Sequence, residues 1–205
     1  MNNPWEDISL CDYENHMRLD TVMQLQTLNS TMKKQFEAYD VDTAMVLGVA
    51  GGNGLEHINS SKYTKVYGID INKNYLNEVS KRYRELKDVL ELLHIDLLKE
   101  SDKLPKASLV IANLLIEYIG YSSFQTIIRQ VNPKYVSCVI QINMDKLQWV
   151  SDSKYIHAFD RLDEIHNQMS EEDLTNAMQK IGYSLIAKEV GKLPNGKALL
   201  RLDYA

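Results

Sequence analysis

The sequence is short of cysteine: Cys11 and Cys138 stand far apart and form no CxxC pair. That excludes a disulfide scaffold, and two isolated thiols fit a reducing, cytoplasmic setting. Proline and glycine are also sparse, with four and nine residues in a chain of 205, and there is no repeat, low-complexity tract or flexible linker. Positive charge is not in excess. Lys and Arg number 23 against 28 Asp and Glu, a formal net charge of −5. A dedicated nucleic-acid binder needs a basic face to displace counterions, so that class is set aside. Long apolar runs are missing too. The richest, over 109–116, is interrupted by Asn113 and falls far short of the ~20 residues a membrane-spanning helix needs. The opening MNNPWEDISLCDYE carries acids where a secretory signal has a basic region and an apolar run, so no such signal is expected. The five histidines show neither HxxxH nor HExxH spacing, so no metal site is expected.

What remains is an ordinary soluble composition, 44% hydrophobic and 25% charged, enough for one domain. Residues 1–18 carry no clear period. Val22, Leu25, Leu28, Met32, Phe36 and Tyr39 then recur every three or four residues, which predicts a helix packed as a cover. Continuous apolar runs at 44–49, 65–70, 89–95, 108–112 and 135–142 predict five strands buried on both faces. Helical stripes fall between them: a start at 53–59, a stripe from Tyr75 to Leu86, and a helix over 121–131 that Pro133 stops. The pattern predicts an α/β fold, a parallel sheet with helices on both faces. Residues 144–169 form a long irregular connection. Ser170, followed by Glu171, Glu172 and Asp173, predicts a capped helix start. Runs at 184–190 and 198–204, joined through Asn195-Gly196, predict a terminal hairpin.

The segment VLGVAGGNGL at 46–55 takes a strand through a glycine-rich turn toward a helix. In an open parallel sheet, ligands bind at the C-terminal strand ends, where small residues let the backbone come close. No register matches the dinucleotide GxGxxG: counted from Gly52 and Gly54 the third glycine would be His57, and counted from Gly48 and Ala50 it would be Asn53. Gly54-Leu55-Glu56 does not complete a P-loop. The run does fit small-x-Gly-x-Gly at 50–54.

On these residues the chain resembles the class I S-adenosylmethionine-dependent methyltransferases, whose first motif is typically acidic-x-Gly-x-Gly-x-Gly. Here Gly48 holds the acidic position and Ala50 the first glycine. The resemblance implies a three-layer Rossmann-like sandwich with a seven-stranded, mostly parallel sheet closed by an antiparallel C-terminal hairpin. It covers residues 41–205 as the cofactor-binding domain and leaves residues 1–40 as an N-terminal helical cap. It implies S-adenosyl-L-methionine as cofactor, held by Gly48, Val49, Ala50, Gly52, Asn53 and Gly54 of the turn. Asp70 would bind the ribose hydroxyls and Ile71 pack on the adenine. Asp96, with the backbone near Leu97, would read the adenine edge. Asn113 and Leu114 would hold the methionine end.

Methyl transfer from a sulfonium is an in-line displacement with a neutral leaving group, so positioning can supply most of the catalysis. A base is needed only when the nucleophile arrives protonated. The segment just beyond the fourth strand offers Glu117, as base or as partner to a substrate cation, and Tyr118, as a group that orients the acceptor. The acceptor is expected to be a small molecule, because no RNA-binding domain or basic tail is attached. Rival readings are a Rossmann-type nucleotide-binding oxidoreductase and a non-catalytic member of the same fold. His94 is expected as a hydrogen-bonded core residue. His16 is expected at the surface unless the N-terminal segment folds over the pocket. Trp149, Tyr155, His157 and Phe159 are expected to pack within the long connection, and Lys81 to Arg84 to lie on a solvated helix face.

Overall fold

Seven strands run β1 (Thr43–Leu47), β2 (Lys65–Asp70), β3 (Leu90–His94), β4 (Leu109–Asn113), β5 (Tyr135–Asn143), β6 (Leu185–Lys192) and β7 (Lys197–Tyr204) in the computed structural model, which describes residues 3–143, 150 and 153–205. They form one sheet in the order β3-β2-β1-β4-β5-β7-β6. The first five are parallel, and β7 pairs antiparallel with both β5 and β6. The predicted hairpin is therefore present, with β7 inserted between β5 and β6. The fold is the expected three-layer α/β sandwich.

The period of two along each strand divides the core between the sheet faces. Met45, Leu47, Val110, Ala112, Val136, Cys138, Ile140, Leu200 and Leu202 share one cluster with Phe124, Ile127 and Ile128 of α4 (Ile116–Val131) and with Leu174 and Met178 of α5 (Glu171–Gln179). Ala44, Val46, Val66, Leu90, Leu109 and Ile111 face the other way, onto Met32 and Phe36 of α2 (Gln24–Glu37) and Leu76 and Val79 of α3 (Lys73–Arg82). Ser170 caps α5 as expected, its hydroxyl accepting from Asp173 N at 3.0 Å. Among the described residues no helix is long and apolar enough to cross a membrane.

Three local expectations are corrected. Residues 10–18, expected to be irregular, form helix α1 (Leu10–Arg18). Its apolar residues Leu10, Tyr13 and Met17 span too few turns to stand out as a period. The helix expected to open at 53–59 is only a 3-10 turn, Leu55–His57. The layer over β1 is filled by α2, which arrives from earlier in the chain. Gly54, at φ 94°, faces Met32 of α2 so closely that a Cβ would lie 2.7 Å from the Met32 Cβ. Third, α4 starts at Ile116 and not at Tyr121. Gly120, at φ 73° and ψ 164°, breaks it into a first turn and a main helix. A left-handed residue inside a helix is tolerable only as glycine.

Candidate active site

β1 and β4 pair side by side where the chain order reverses, and the crevice beyond the strand ends at such a switch point is where ligands bind in open α/β sheets. β1 ends in a turn that alternates through the left-handed region, with Gly48 at φ 67°, Ala50 at 46°, Gly52 at 83° and Gly54 at 94°. β4 ends in Leu114, also left-handed at φ 52°. Ala50 and Leu114 are not glycines, so each stores roughly 1–2 kcal/mol of strain. Ala50 is held there by Asp70, whose Oδ2 accepts from Ala50 N at 2.8 Å. Leu114 is held by donating its N–H to Val139 O at 2.8 Å. The two strained residues face one another across a cavity of about 80 Å³, measured as space for the centres of water-sized groups.

That cavity is lined by Gly48, Ala50, Asp70, Ile71, Asp96, Leu97, Asn113, Leu114 and Tyr118, so most of the sequence-predicted residues come together. Asp70 is buried, and its Oδ1 accepts from Asn72 N at 2.8 Å. Burial pushes its carboxyl up, opposed by those backbone N–H groups. The N–H of Ile71 acts on it as well as those of Ala50 and Asn72, so three of the roughly four lone-pair sites of an ionised carboxylate are engaged. Asp96 lies two residues past the end of β3. Its Oδ1 accepts from Leu98 N at 3.0 Å and its Oδ2 from Lys99 Nζ at 2.7 Å. Ile71, Leu97 and Ile95 supply an apolar wall beside the two acids.

Four predicted residues lie elsewhere. Val49 is buried in the core, its N–H donating to Ile69 O at 3.0 Å. Gly52 makes room for Tyr83, and Gly54 for Met32. Asn53 donates to Leu25 O at 2.9 Å and accepts from Asn29 Nδ2 at 3.1 Å. Gly52 and Gly54 thus accommodate packed side chains, while Val49 and Asn53 line a further hollow that shares Gly48, Ala50 and Asn113 with the first cavity. Asn113 lines it, but its side chain is engaged with Gln35 of α2 in two bonds of 2.9 Å.

A second cavity, of about 70 Å³ on the same measure, adjoins the first and shares Trp5, Tyr13, Leu114 and Tyr118 with it. Glu117 is 4% exposed. Its Oε1 accepts from Gln141 N at 2.9 Å, while Oε2 has no hydrogen-bond partner among the described residues. Burial pushes its carboxyl up to about 7. His16 and His166 also line this cavity, and burial lowers both, with Lys197 as a further cause. Tyr118 stands between the cavities, its hydroxyl well above the usual phenol range because it is buried.

The roof is the N-terminal segment. Trp5 lies edge-on to Tyr118, with centroids 4.9 Å apart, and to Tyr13 at 5.8 Å. Trp5 O accepts from Asn72 Nδ2 at 2.9 Å, and Tyr75 donates its hydroxyl to Ile8 O at 2.8 Å. Arg82 pairs with Glu14, and Arg161 with Asp7. His16 is consequently buried, its Nδ1 lying 2.8 Å from Ser153 Oγ and its ring 4.8 Å from Phe159. His94 is exposed and not in the core, although its Nε2 lies 2.7 Å from Ile71 O. Lys81, Arg82 and Arg84 are exposed, as expected of a solvated face, with Arg82 also pairing with Glu14, while Tyr83 is half-buried and donates to Glu56. Trp149 lies outside the described residues. Sequence reasoning missed Trp5 and Gln141, and no local pattern marks either one.

No family model matches the sequence, and no curated protein matches it. Solved structures do match. A geranyl diphosphate methyltransferase in complex with SAM superposes with a TM-score of 0.67 at 12% identity, covering 87% of this chain and 84% of that one. The magnesium protoporphyrin IX methyltransferase of Synechocystis PCC 6803 with bound SAM gives 0.60 at 12% identity, over 93% and 81%. A [4+2]-cyclase, SpnF, gives 0.66 at 10% identity, over 91% and 83%. At such identities the likeness is one of architecture, and together with the strand order it gives this chain the fold of the class I S-adenosylmethionine-dependent methyltransferases.

Proposed function

We propose that the chain binds S-adenosyl-L-methionine in the first cavity and transfers its methyl group to a small molecule in the second. The observation that carries this reading is the meeting of the two cavities at Tyr118 and Leu114, the first lined by acids and apolar residues, the second by buried titratable side chains. The donor set suits an adenosyl group. Asp70 lines the cavity as an acceptor for a ribose diol, Ile71 and Leu97 offer apolar contacts to a purine, and Asp96 lies beside them. The methionine end is assigned to the backbone at Gly48, Ala50, Asn113 and Leu114. Neighbours of the same fold are described with SAM bound, one of them acting on geranyl diphosphate, which supports both the cofactor and a small acceptor.

When bound, this cofactor supplies a methyl group already activated on a sulfonium. The chain supplies position and proton control. Residues 1–40 act as a cap, of which the segment from Trp5 to Met17 closes both cavities and excludes water. Tyr118 orients the acceptor. Glu117 takes the acceptor's proton, since a carboxyl held near neutrality can both accept and release it. With Cys11 and Cys138 as free thiols, we assign the protein to the cytoplasm. Titration calorimetry with S-adenosylhomocysteine tests the reading: saturable binding to the parent chain, weakened in Asp70→Ala, is the expected result. A chain that ignores that compound does not have this function.

A further inference from the structure

Glu117 lines the second cavity, and one of its carboxyl oxygens is buried with no partner among the described residues. Oε1 is held by Gln141 N, and Oε2 is left over. A buried ionised group without a partner is costly, so such an oxygen is completed by a donor from a ligand. Which donor follows from the rest of the lining. Among the described residues it contains no Lys or Arg, and its aromatic side chains are Trp5, Tyr13, Tyr118 and Phe159 besides the two histidines.

From this arrangement, and resting on the function proposed above, we infer that the acceptor enters as a cation, a small amine whose protonated nitrogen meets Glu117 Oε2 and whose apolar body lies among the aromatic rings. Among the described residues that line the cavity, an anion would meet no lysine or arginine side chain. A neutral alcohol would satisfy the hydrogen bond and leave the carboxylate charge unopposed. An ammonium does both, and aromatic faces attract it further.

The two histidines agree, whereas Lys197 is a nearby positive charge that the Glu117 carboxylate must outweigh, and Asp163 near His166 is a further acid. His16 from α1 and His166 from the segment before α5 are both depressed, so neutral imidazoles face the cavity near neutral pH. Lys197 on β7 acts on both, and burial pushes its own ammonium down to about 8. The proton transfer balances. One N–H bond of the ammonium breaks, its proton forms an O–H bond at Glu117 Oε2, and the nitrogen keeps the electron pair as a free nucleophile. A carboxyl poised at about 7 accepts that proton more readily than an ordinary one.

The test is titration calorimetry on the protein loaded with S-adenosylhomocysteine, with benzylamine, benzyl alcohol and benzoate as probes of one shape and three charges. Benzylamine is expected to bind roughly tenfold or more tightly than either of the others at about pH 8. Near pH 6.5, where Glu117 is mostly protonated, its binding should release protons, seen as a heat that changes with the ionisation enthalpy of the buffer. Glu117→Gln is expected to abolish both the preference and the proton release, while S-adenosylhomocysteine binding and melting temperature report that the variant is folded. The inference falls if benzylamine has no advantage, including no binding of any probe, or if Glu117→Gln keeps the preference. In either case an intact S-adenosylhomocysteine titration leaves the cofactor assignment standing. Loss of that titration in the parent chain sinks both.

Discussion

Asn113 and Gln35 face each other as a reciprocal amide pair: Gln35 Nε2 donates to Asn113 Oδ1, and Asn113 Nδ2 donates to Gln35 Oε1, each at 2.9 Å. Gln35 is fully buried and also donates to Ser137 Oγ at 3.0 Å. The side chain that seems placed to hold a cofactor is thus tied to a helix, and only the Asn113 backbone is left for a ligand. Gln35→Leu keeps the volume and leaves the Asn113 amide unpaired. It should lower stability by about 1–3 kcal/mol, read by urea denaturation, and change S-adenosylhomocysteine affinity far less than an Asp70 variant does. A stability equal to the parent's would refute the structural role.

Asp70 has two tasks, tying the strained Ala50 and facing the crevice. Asp70→Ala should weaken S-adenosylhomocysteine binding by roughly tenfold or more, the scale of one or two charge-assisted hydrogen bonds. It should also lower the melting temperature, because Ala50 N loses its acceptor. Unchanged affinity in calorimetry would remove the ribose assignment.

Glu117 makes stability depend on pH in a definite direction. Its folded-state carboxyl keeps its proton up to about 7, against 4.5 for an unperturbed glutamate. Folding therefore takes up a proton between those values. The associated stability is fully present below the unfolded value and is lost as the pH rises through about 7. Glu117→Gln has no such charge to bury. It should be more stable than the parent above pH 7 by roughly 3 kcal/mol and equal to it below about pH 4.5. Denaturation curves at both ends of the range check this, and parallel pH profiles for the two proteins would count against a raised carboxyl.

Trp5 closes both cavities through ring contacts with Tyr13 and Tyr118. Trp5→Ala removes a large, half-buried ring and should speed the release of S-adenosylhomocysteine severalfold in stopped-flow exchange, most of the affinity change lying in the off-rate, as is general for binding-site substitutions. An unaltered off-rate would mean that ligand exchange does not involve the N-terminal roof.

The sheet and its acids were legible because they rest on local pattern. Doubly buried strands read as continuous apolar runs, the α2 stripe repeats every three or four residues, and Asp70, Asp96 and Asn113 fall at or just past strand ends where a turn must follow. The terminal hairpin was legible from Asn195-Gly196 between two apolar runs. The 3-10 turn in place of a helix after β1 was not, because a helix from another part of the chain can fill a layer without leaving a mark on the segment it replaces.

By itself the sequence marked the seven strands and the small and acidic residues at the ends of β1, β2, β3 and β4, since burial period and turn chemistry act over a few residues. Only the tertiary structure decided that residues 3–18 fold over the crevice, that His16 meets a serine 137 positions away, that Gln35 claims the Asn113 amide, and that one oxygen of Glu117 is left without a partner. Each of these depends on which distant surfaces exclude water together, and desolvation, unlike propensity, belongs to the folded ensemble of contacts rather than to any stretch of chain.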